Sequence, residues 1–399
     1  MRAPRSSIGW TDVVVVCGAR RWDGHRPSVH HLAAALGRHI PVLYVDPVRP
    51  VDRSRAEDEP DPLQLIGPAL AELSPRVPAV GPWMGAGSIN TAFGRRAVRQ
   101  ALAELGSPRV RAMIVSSFDP WFGACDEELR VFYAADDFLS GSALARRSPQ
   151  RIERNLHRSL STVDLVVAAS PVLGDVFRSQ GVEVVVLPNG CDVVEVDDDD
   201  PRRARRGRAA GFVGELSNQV DVEVLDAVAD RGHDVLIVGR GPVGPLAADL
   251  RTLLSRSNVE WVGPRSPDAI GPYLGRIDVG LAPFVDTPYE RACLPLDLLG
   301  HLTVGRPVVG TDCEVVRWLR SSADAGLLDL DDDLAIGATP GQVADLVGAQ
   351  LARPRDPLAV DRRRSFARGH RWSARCTDLA DRLGLGGPAE PAPCTEEVS

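Results

Sequence analysis

The sequence contains no lysine: all 46 of its basic residues are arginine. That excludes Schiff-base catalysis on lysine, attachment of pyridoxal phosphate and a Walker-type phosphate lysine. Any anion bound here meets arginine or backbone N–H groups instead. Aromatic residues are scarce, at 5% of 399 positions. No stretch approaches the ~20 consecutive apolar residues that span a bilayer. Met1–Thr11 carries basic residues without an apolar core before a cleavage site, so no secretory signal is read there and a cytoplasmic location is expected. The seven cysteines, at 17, 125, 191, 293, 313, 376 and 394, are odd in number and form no C-x-x-C pair. In a reducing compartment they read as small buried hydrophobes, and no metal site is expected. Surplus basic charge is also missing: the net charge of −8 opposes a role in wrapping nucleic acid. No G-x-G-x-x-G follows a strand. Cys17-Gly18-Ala19-Arg20 is not that turn, and Gly239-Arg240-Gly241 lacks the third glycine in register, so it reads as a tight strand-to-helix turn.

What is present is a repeating alternation of apolar runs and amphipathic segments. Val13–Val16 is a run of valines suited to a strand buried on both faces. Val29, Leu32, Ala33 and Leu36 follow at helical spacing, and Val42–Val45 is the next strand. Strand, helix and strand make a βαβ unit, which favours a parallel sheet. Further strands are expected at Val110–Val115, Val131–Ala135, Leu165–Ala168 and Val182–Leu187, with helices at Pro149–Val163 and Pro171–Gln180. The interval Pro47–Pro108 reads as irregular. After Asp197–Asp200 and an arginine-rich stretch the rhythm restarts, with strands at Ala210–Val213, Asp234–Val238, Asn258–Val262, Val279–Pro283 and Pro307–Gly310. Opposed charge blocks of this kind are solvated linkers. The expected organisation is a first Rossmann-like domain over 1–190, a charged linker over 191–209, a second Rossmann-like domain over 210–365, a helix over 366–385 returning to the first domain, and a disordered tail over 386–399. A pair of such domains places ligands at strand carboxyl ends, facing a cleft.

Several stretches then resemble one family. Glu290-Arg291-Ala292-Cys293-Leu294-Pro295-Leu296-Asp297-Leu298-Leu299, followed by Thr303-Val304-Gly305-Arg306-Pro307-Val308-Val309, resembles the donor-site helix of GT-B retaining glycosyltransferases. The likeness is to glycosyltransferase family 4 and the teichuronic-acid-type branch near it. Arg26-Pro27 with His31-Leu32-Ala33, Phe132 to Asp137, Leu187-Pro188-Asn189-Gly190-Cys191-Asp192, Gly211-Phe212-Val213-Gly214 and Trp372 agree with it in order and spacing. The resemblance implies an α/β, GT-B fold of two Rossmann-like parallel-sheet domains facing across a cleft. It also implies a metal-independent sugar transfer with no cofactor, from a dTDP-, UDP- or GDP-linked donor to a glycan, lipid-linked or small-molecule acceptor.

The chemistry of such a transfer assigns the candidates. A departing nucleoside diphosphate develops negative charge, which helix N-termini, glycine-rich turns and arginine stabilise. Arg291, preceding an expected helix over 292–304, is the first candidate for the phosphate clamp; the alternative is a surface arginine. Gly211 and Gly214 flank an expected strand end where backbone approaches the donor, or are simple turn glycines. Asp136 and Asp137 end a buried strand, where a carboxylate orients an acceptor hydroxyl, unless it caps the next helix. His25 is a weaker candidate beside Arg26, and His31 is expected to pack on its helix. Gly18, Asn189, Arg240, Pro295 and Glu314 complete the candidate substrate-binding set. Two features depart from the family. Ala292 and Gly300 stand where the resemblance implies two glutamates, the second holding the donor's ribose hydroxyls, and Asn218, Gln219 and Asp221 stand where it implies a basic pair. A nucleotide-sugar 2-epimerase of the same fold and a non-catalytic partner of an active transferase are the alternatives. Peripheral membrane association fits a lipid-linked acceptor.

Overall fold

In the computed structural model the described residues are 9–22, 27–51, 61–78, 86–135, 149–192, 194, 196, 208–241, 248–266, 269–285, 287, 296–321 and 326–385. The chain divides into two compact units, Met1–Pro188 with Trp372–Ser399, and Asn189–Arg371.

The strands of the first unit are β1 (Asp12–Gly18), β2 (Val42–Val45), β3 (Arg49–Val51), β4 (Leu63–Gly67), β5 (Leu70–Leu73), β6 (Arg76–Pro78), β7 (Arg109–Ser116), β8 (Arg130–Ala134), β9 (Leu165–Ala168) and β10 (Val184–Val186). Eight of them form one sheet in the order β10-β9-β8-β7-β1-β2-β5-β4, parallel except for the edge strand β4; β3 and β6 pair separately. The helices are α1 (Ser28–Leu36), α2 (Ala86–Glu104), α3 (Pro149–Leu160), α4 (Pro171–Arg178) and the helix Trp372–Arg382. The valine run of β1 is central because both its faces are covered, which only an uninterrupted apolar strand tolerates. Val13, Val15 and Cys17 pack with Val98 and Leu102 of α2 and with Leu105 just after it. Val14 and Val16 face the other way, toward Leu32 and Leu36 of α1 and toward Trp372 and Leu379. Each such valine is worth about 2 kcal/mol of burial. His31 stacks on Trp372 with ring centroids 5.6 Å apart, so its ring packs on the first residue of the helix Trp372–Arg382.

The interval Pro47–Pro108 is not irregular. It holds β3 to β6 and the 19-residue α2. Its strands are short: β3 and β6 form a separate pair, β5 is next to last in the main sheet, and the edge strand β4 has only Leu63 buried, so none shows the apolar run that marks a central strand.

The second unit carries β11 (Ala209–Val213), β12 (Asp234–Val238), β13 (Val259–Trp261), β14 (Val279–Ala282), β15 (Val308–Thr311) and β16 (Leu334–Gly337) in one parallel sheet. Their order is β13-β12-β11-β14-β15-β16, which in ranks is 3-2-1-4-5-6, the Rossmann order. The helices are α5 (Val222–Asp230), α6 (Ala248–Leu254), α7 (Gly271–Arg276), α8 (Leu296–Thr303), α9 (Glu314–Ser321), α10 (Leu330–Asp333), α11 (Pro340–Ala352) and α12 (Pro357–Gly369). Ala210 and Phe212 of β11 pack with Val224 and Val228 of α5 and Val343 and Val347 of α11. Helix starts are fixed locally. Thr339 accepts from the Gln342 N–H while Gln342 accepts from Ala338 N–H, a capping box displaced by one residue. Asp333, fully buried, accepts from Arg362 Nε at 2.6 Å and Arg363 Nε at 2.6 Å, and Arg363 also donates to the Gly305 carbonyl.

The structure draws two boundaries differently from the sequence. Val194 and Val196, read as linker, pack against the core around Leu236, Val238 and Leu274, and Cys191 N–H donates to the His370 carbonyl at 2.8 Å. The stretch 366–385 is not one helix: α12 ends at Gly369, and a new helix begins at Trp372. Among the described residues no helix is long and apolar enough to cross a membrane.

Candidate functional site

In an open parallel sheet the ligand crevice lies outside the strand carboxyl ends, where the strand order reverses. In the second unit that point is between β11 and β14, at Val213 and Ala282. The loops leaving these strands are joined: Val220 bridges Phe284, Val285 N–H donates to the Gln219 carbonyl, and Asp221 N–H donates to the Pro283 carbonyl. Thr311, ending β15, donates to the Phe284 carbonyl at 2.7 Å and accepts from the Phe284 N–H. This edge is therefore fixed before any ligand arrives.

Gly214 and Arg240 come together here. Gly214 N–H donates to the Val238 carbonyl at 2.9 Å, and Leu216 N–H donates to the Arg240 carbonyl at 2.8 Å. Gly239 has φ +155°, and a β-carbon on it would overlap the Gly214 carbonyl, so the glycine pair brings the two turns into contact. The Arg240 side chain is exposed. Trp261, ending β13, donates its indole N–H to the Gly239 carbonyl at 3.0 Å and lies over Gly241. Glu314 is exposed at the first position of α9, just beyond β15, where a carboxylate complements the helix dipole.

Gly211 is not at the strand end. It sits inside β11, and the space its side chain would take is filled by Ile277, itself fully buried. Gly18, at the reversal point of the first sheet, plays the same part for Tyr44, whose hydroxyl occupies the place of a β-carbon. Asn189 is buried at the start of the second unit. Asp136, Asp137, Arg291, His25, Arg26 and Pro295 lie outside the described residues.

Sequence reasoning missed a buried polar cluster at the carboxyl ends of β1 and β2. His30 Nε2 lies 2.6 Å from the Tyr44 hydroxyl, which donates to the Arg20 carbonyl at 2.8 Å. Asp46, 1% exposed, accepts from the Trp22 N–H at 3.0 Å and the Ser74 hydroxyl at 2.5 Å. Burial pushes both the Tyr44 phenol and the Asp46 carboxyl above their ordinary ranges, while the bonds from Ser74 and Trp22 oppose the shift at Asp46. The tyrosine–aspartate spacing in Tyr44-Val45-Asp46 was the available signal. It went unread because alternation within a buried run carries no polar periodicity.

Comparison with known proteins decides the fold. Over 94% of this chain and 98% of theirs, the coordinates match sucrose-phosphate synthase from Thermosynechococcus elongatus, with a TM-score of 0.69 at 14% identity. They match WaaG, a glycosyltransferase involved in lipopolysaccharide biosynthesis, with a TM-score of 0.59 at 16% identity, over 94% of this chain and 100% of that one. This is the GT-B fold. Within this GT-B chain, residues 207–338 match the family model for glycosyl transferases group 1. A curated relative, the teichuronic acid biosynthesis glycosyltransferase TuaH of Bacillus subtilis (strain 168), is 32% identical over 184 residues. That match spans about half of each chain, 46% of this one and 45% of the relative.

Proposed function

We propose that this chain is a glycosyltransferase that moves a sugar, with retention at the anomeric carbon and without a resident metal, from a nucleotide-sugar to a glycan, lipid-linked or small-molecule acceptor. One observation carries the reading. The group 1 match over 207–338 encloses all six strands of the sheet with the 3-2-1-4-5-6 order, so likeness in sequence and the nucleotide-type crevice fall on the same unit. In this reading the donor diphosphate meets the loops after β11 and β14, where backbone N–H groups and arginine stabilise the charge that develops as the glycosidic bond breaks. Arg291 is the clamp in this scheme. Asp136 or Asp137 orients the acceptor hydroxyl. The context is assembly of a cell-surface glycan or a glycosylated natural product in the cytoplasm.

The test is to supply dTDP-, UDP- and GDP-sugars with candidate acceptors and follow nucleoside diphosphate release, with the anomeric configuration of the product read by NMR. Arg291→Ala should lose a charged hydrogen bond, raising the nucleoside diphosphate Kd by a factor corresponding to ~1.5–3 kcal/mol. Unchanged affinity would make Arg291 a surface residue. A changed sugar released without acceptor would identify an epimerase, and no binding of any nucleotide would identify a non-catalytic partner.

A further inference from the structure

We propose that Tyr44 is a positioning residue for the transfer: its hydroxyl fixes the turn 18–22, on which the acceptor docks. This deepens the sugar-transfer reading and rests on it. The turn leaves β1 at the reversal point of the first sheet, where an open parallel sheet receives its ligand. Gly18 is buried at the end of β1, and Ala19, Arg20 and Arg21 are exposed beyond it.

The buried polar bonds of β2 and α1 converge on this turn. The Tyr44 hydroxyl donates to the Arg20 carbonyl at 2.8 Å. His30 Nε2 lies 2.6 Å from that hydroxyl and 3.3 Å from the same carbonyl. A phenol has one proton, and here it goes to Arg20, so His30 Nε2 is the donor to the Tyr44 oxygen. Asp46 takes the other end of the turn, accepting the Trp22 N–H at 3.0 Å. The Trp22 ring then packs 5.0 Å, centroid to centroid, from both His30 and Tyr44. Tyr44 and His30 are both fully buried. A phenylalanine and an aliphatic residue would fill the same core without hydroxyl or imidazole to satisfy. What the polar pair adds is a hold on the Arg20 carbonyl. Gly18 serves the same end, because the Tyr44 hydroxyl stands where its β-carbon would be. Burial raises the Tyr44 phenol above its ordinary range, so the hydroxyl keeps its proton and stays a donor. The turn is thus ordered before a substrate arrives, and the entropy of fixing it is not charged to binding.

The experiment follows nucleoside diphosphate release by the full chain and by Tyr44→Phe from UDP-, dTDP- and GDP-glucose. Octyl β-glucoside, maltose and p-nitrophenol serve as acceptors, and water alone measures hydrolysis. Tyr44→Phe should lower acceptor-dependent release by ~10- to 100-fold through misplacement of the turn. Hydrolysis and the Kd for UDP should stay as in wild type. The ratio of transfer to hydrolysis decides, since a loss of folded protein lowers both alike. His30→Gln keeps a donor toward the Tyr44 oxygen and should retain most of the ratio, whereas His30→Leu should lose it. This second pair replaces Tyr44→Phe where that variant does not fold. An unchanged ratio in Tyr44→Phe, or equal ratios in His30→Gln and His30→Leu, overturns the assignment and leaves the sugar-transfer reading intact. Parallel loss of transfer and hydrolysis makes the cluster structural and also overturns it. Wild-type protein whose release no acceptor accelerates ends both the inference and the reading beneath it.

Discussion

His301 shows how a single side chain in this core acquires a measurable consequence. Its ring is fully buried against Gly280, whose missing side chain leaves room for it, and neither ring nitrogen has a hydrogen-bond partner. Burial first, and then the charge of Arg306, pull its pKa from 6.5 to about 4. The folded state therefore refuses a proton that the unfolded chain accepts near pH 6.5. Stability from this residue is complete above pH 6.5 and falls as pH drops toward 4, by about 2 kcal/mol at pH 5. Urea denaturation of wild type and His301→Phe at pH 7 and pH 5 should show the wild type losing more on acidification; parallel losses would place the acid sensitivity elsewhere. Two glycines make a matched pair at the same scale. A β-carbon at Gly211 would strike the buried Ile277, whereas one at Gly300, inside α8, would meet nothing within 4 Å. Gly211→Ala should therefore cost about 1–3 kcal/mol by overpacking. Gly300→Ala should add about 0.5–1 kcal/mol through helix propensity. Thermal melts of the two variants should move in opposite directions.

Elements in the second unit are tied by one buried charge cluster. Asp333 ends the four-residue α10, and its carboxylate holds Arg362 and Arg363 of α12, while Arg363 reaches the turn after α8 at Gly305. A helix that short has too few bonds to stand alone, so the cluster supplies its anchor. Asp333→Ala leaves Arg363, only 8% exposed, buried without its partner. The loss should be about 3 kcal/mol, with Arg362 contributing little because it reaches solvent. Chemical denaturation of Asp333→Ala against Asp333→Asn, which keeps the acceptor oxygen, separates the charge from the hydrogen bonds. Nothing in Leu330-Asp331-Asp332-Asp333 distinguished the third aspartate beforehand, since its partners lie some 30 residues on. The same contrast explains what was legible. Val13–Val16 and Asp234–Val238 declared themselves because an apolar run bounded by turns has one stable use, a covered central strand. The edge strand β4, its neighbour β5 and the arginine-bearing α2 did not, because their faces are decided by neighbours. Among site residues, the contact of Gly214 with Gly239 was invisible because it joins turns 25 residues apart, and Trp261 was invisible because only its exposure singles it out.

At the scale of the whole molecule, two Rossmann-type sheets in one chain raise the question of which nucleotide the second one accepts. The resemblance implies a glutamate on the donor helix that receives both ribose hydroxyls, and this chain has Gly300 there. Packing does not demand a glycine there, since a β-carbon built on it meets no atom within 4 Å. The missing glutamate then acts by removing an acceptor. A ribonucleotide then buries a 2′-hydroxyl without that partner, which costs about 1–3 kcal/mol where no water replaces it. A 2′-deoxyribonucleotide has no such group and loses less. Glu314, at the head of α9 just beyond β15, is exposed and is the acidic side chain offered for partial replacement, whereas the nearer Asp312 is held by Arg317 at 2.7 Å. The expectation is that dTDP binds at least as tightly as UDP or GDP. dUDP against UDP isolates the hydroxyl from the thymine methyl, and should show the same order. Gly300→Glu should reverse it by restoring the acceptor, tightening UDP selectively. Titration of the four nucleotides against wild type and Gly300→Glu gives the answer directly. A wild-type preference for UDP over dUDP would mean that another group already holds the 2′-hydroxyl, and Glu314→Gln would then be the variant expected to abolish that preference.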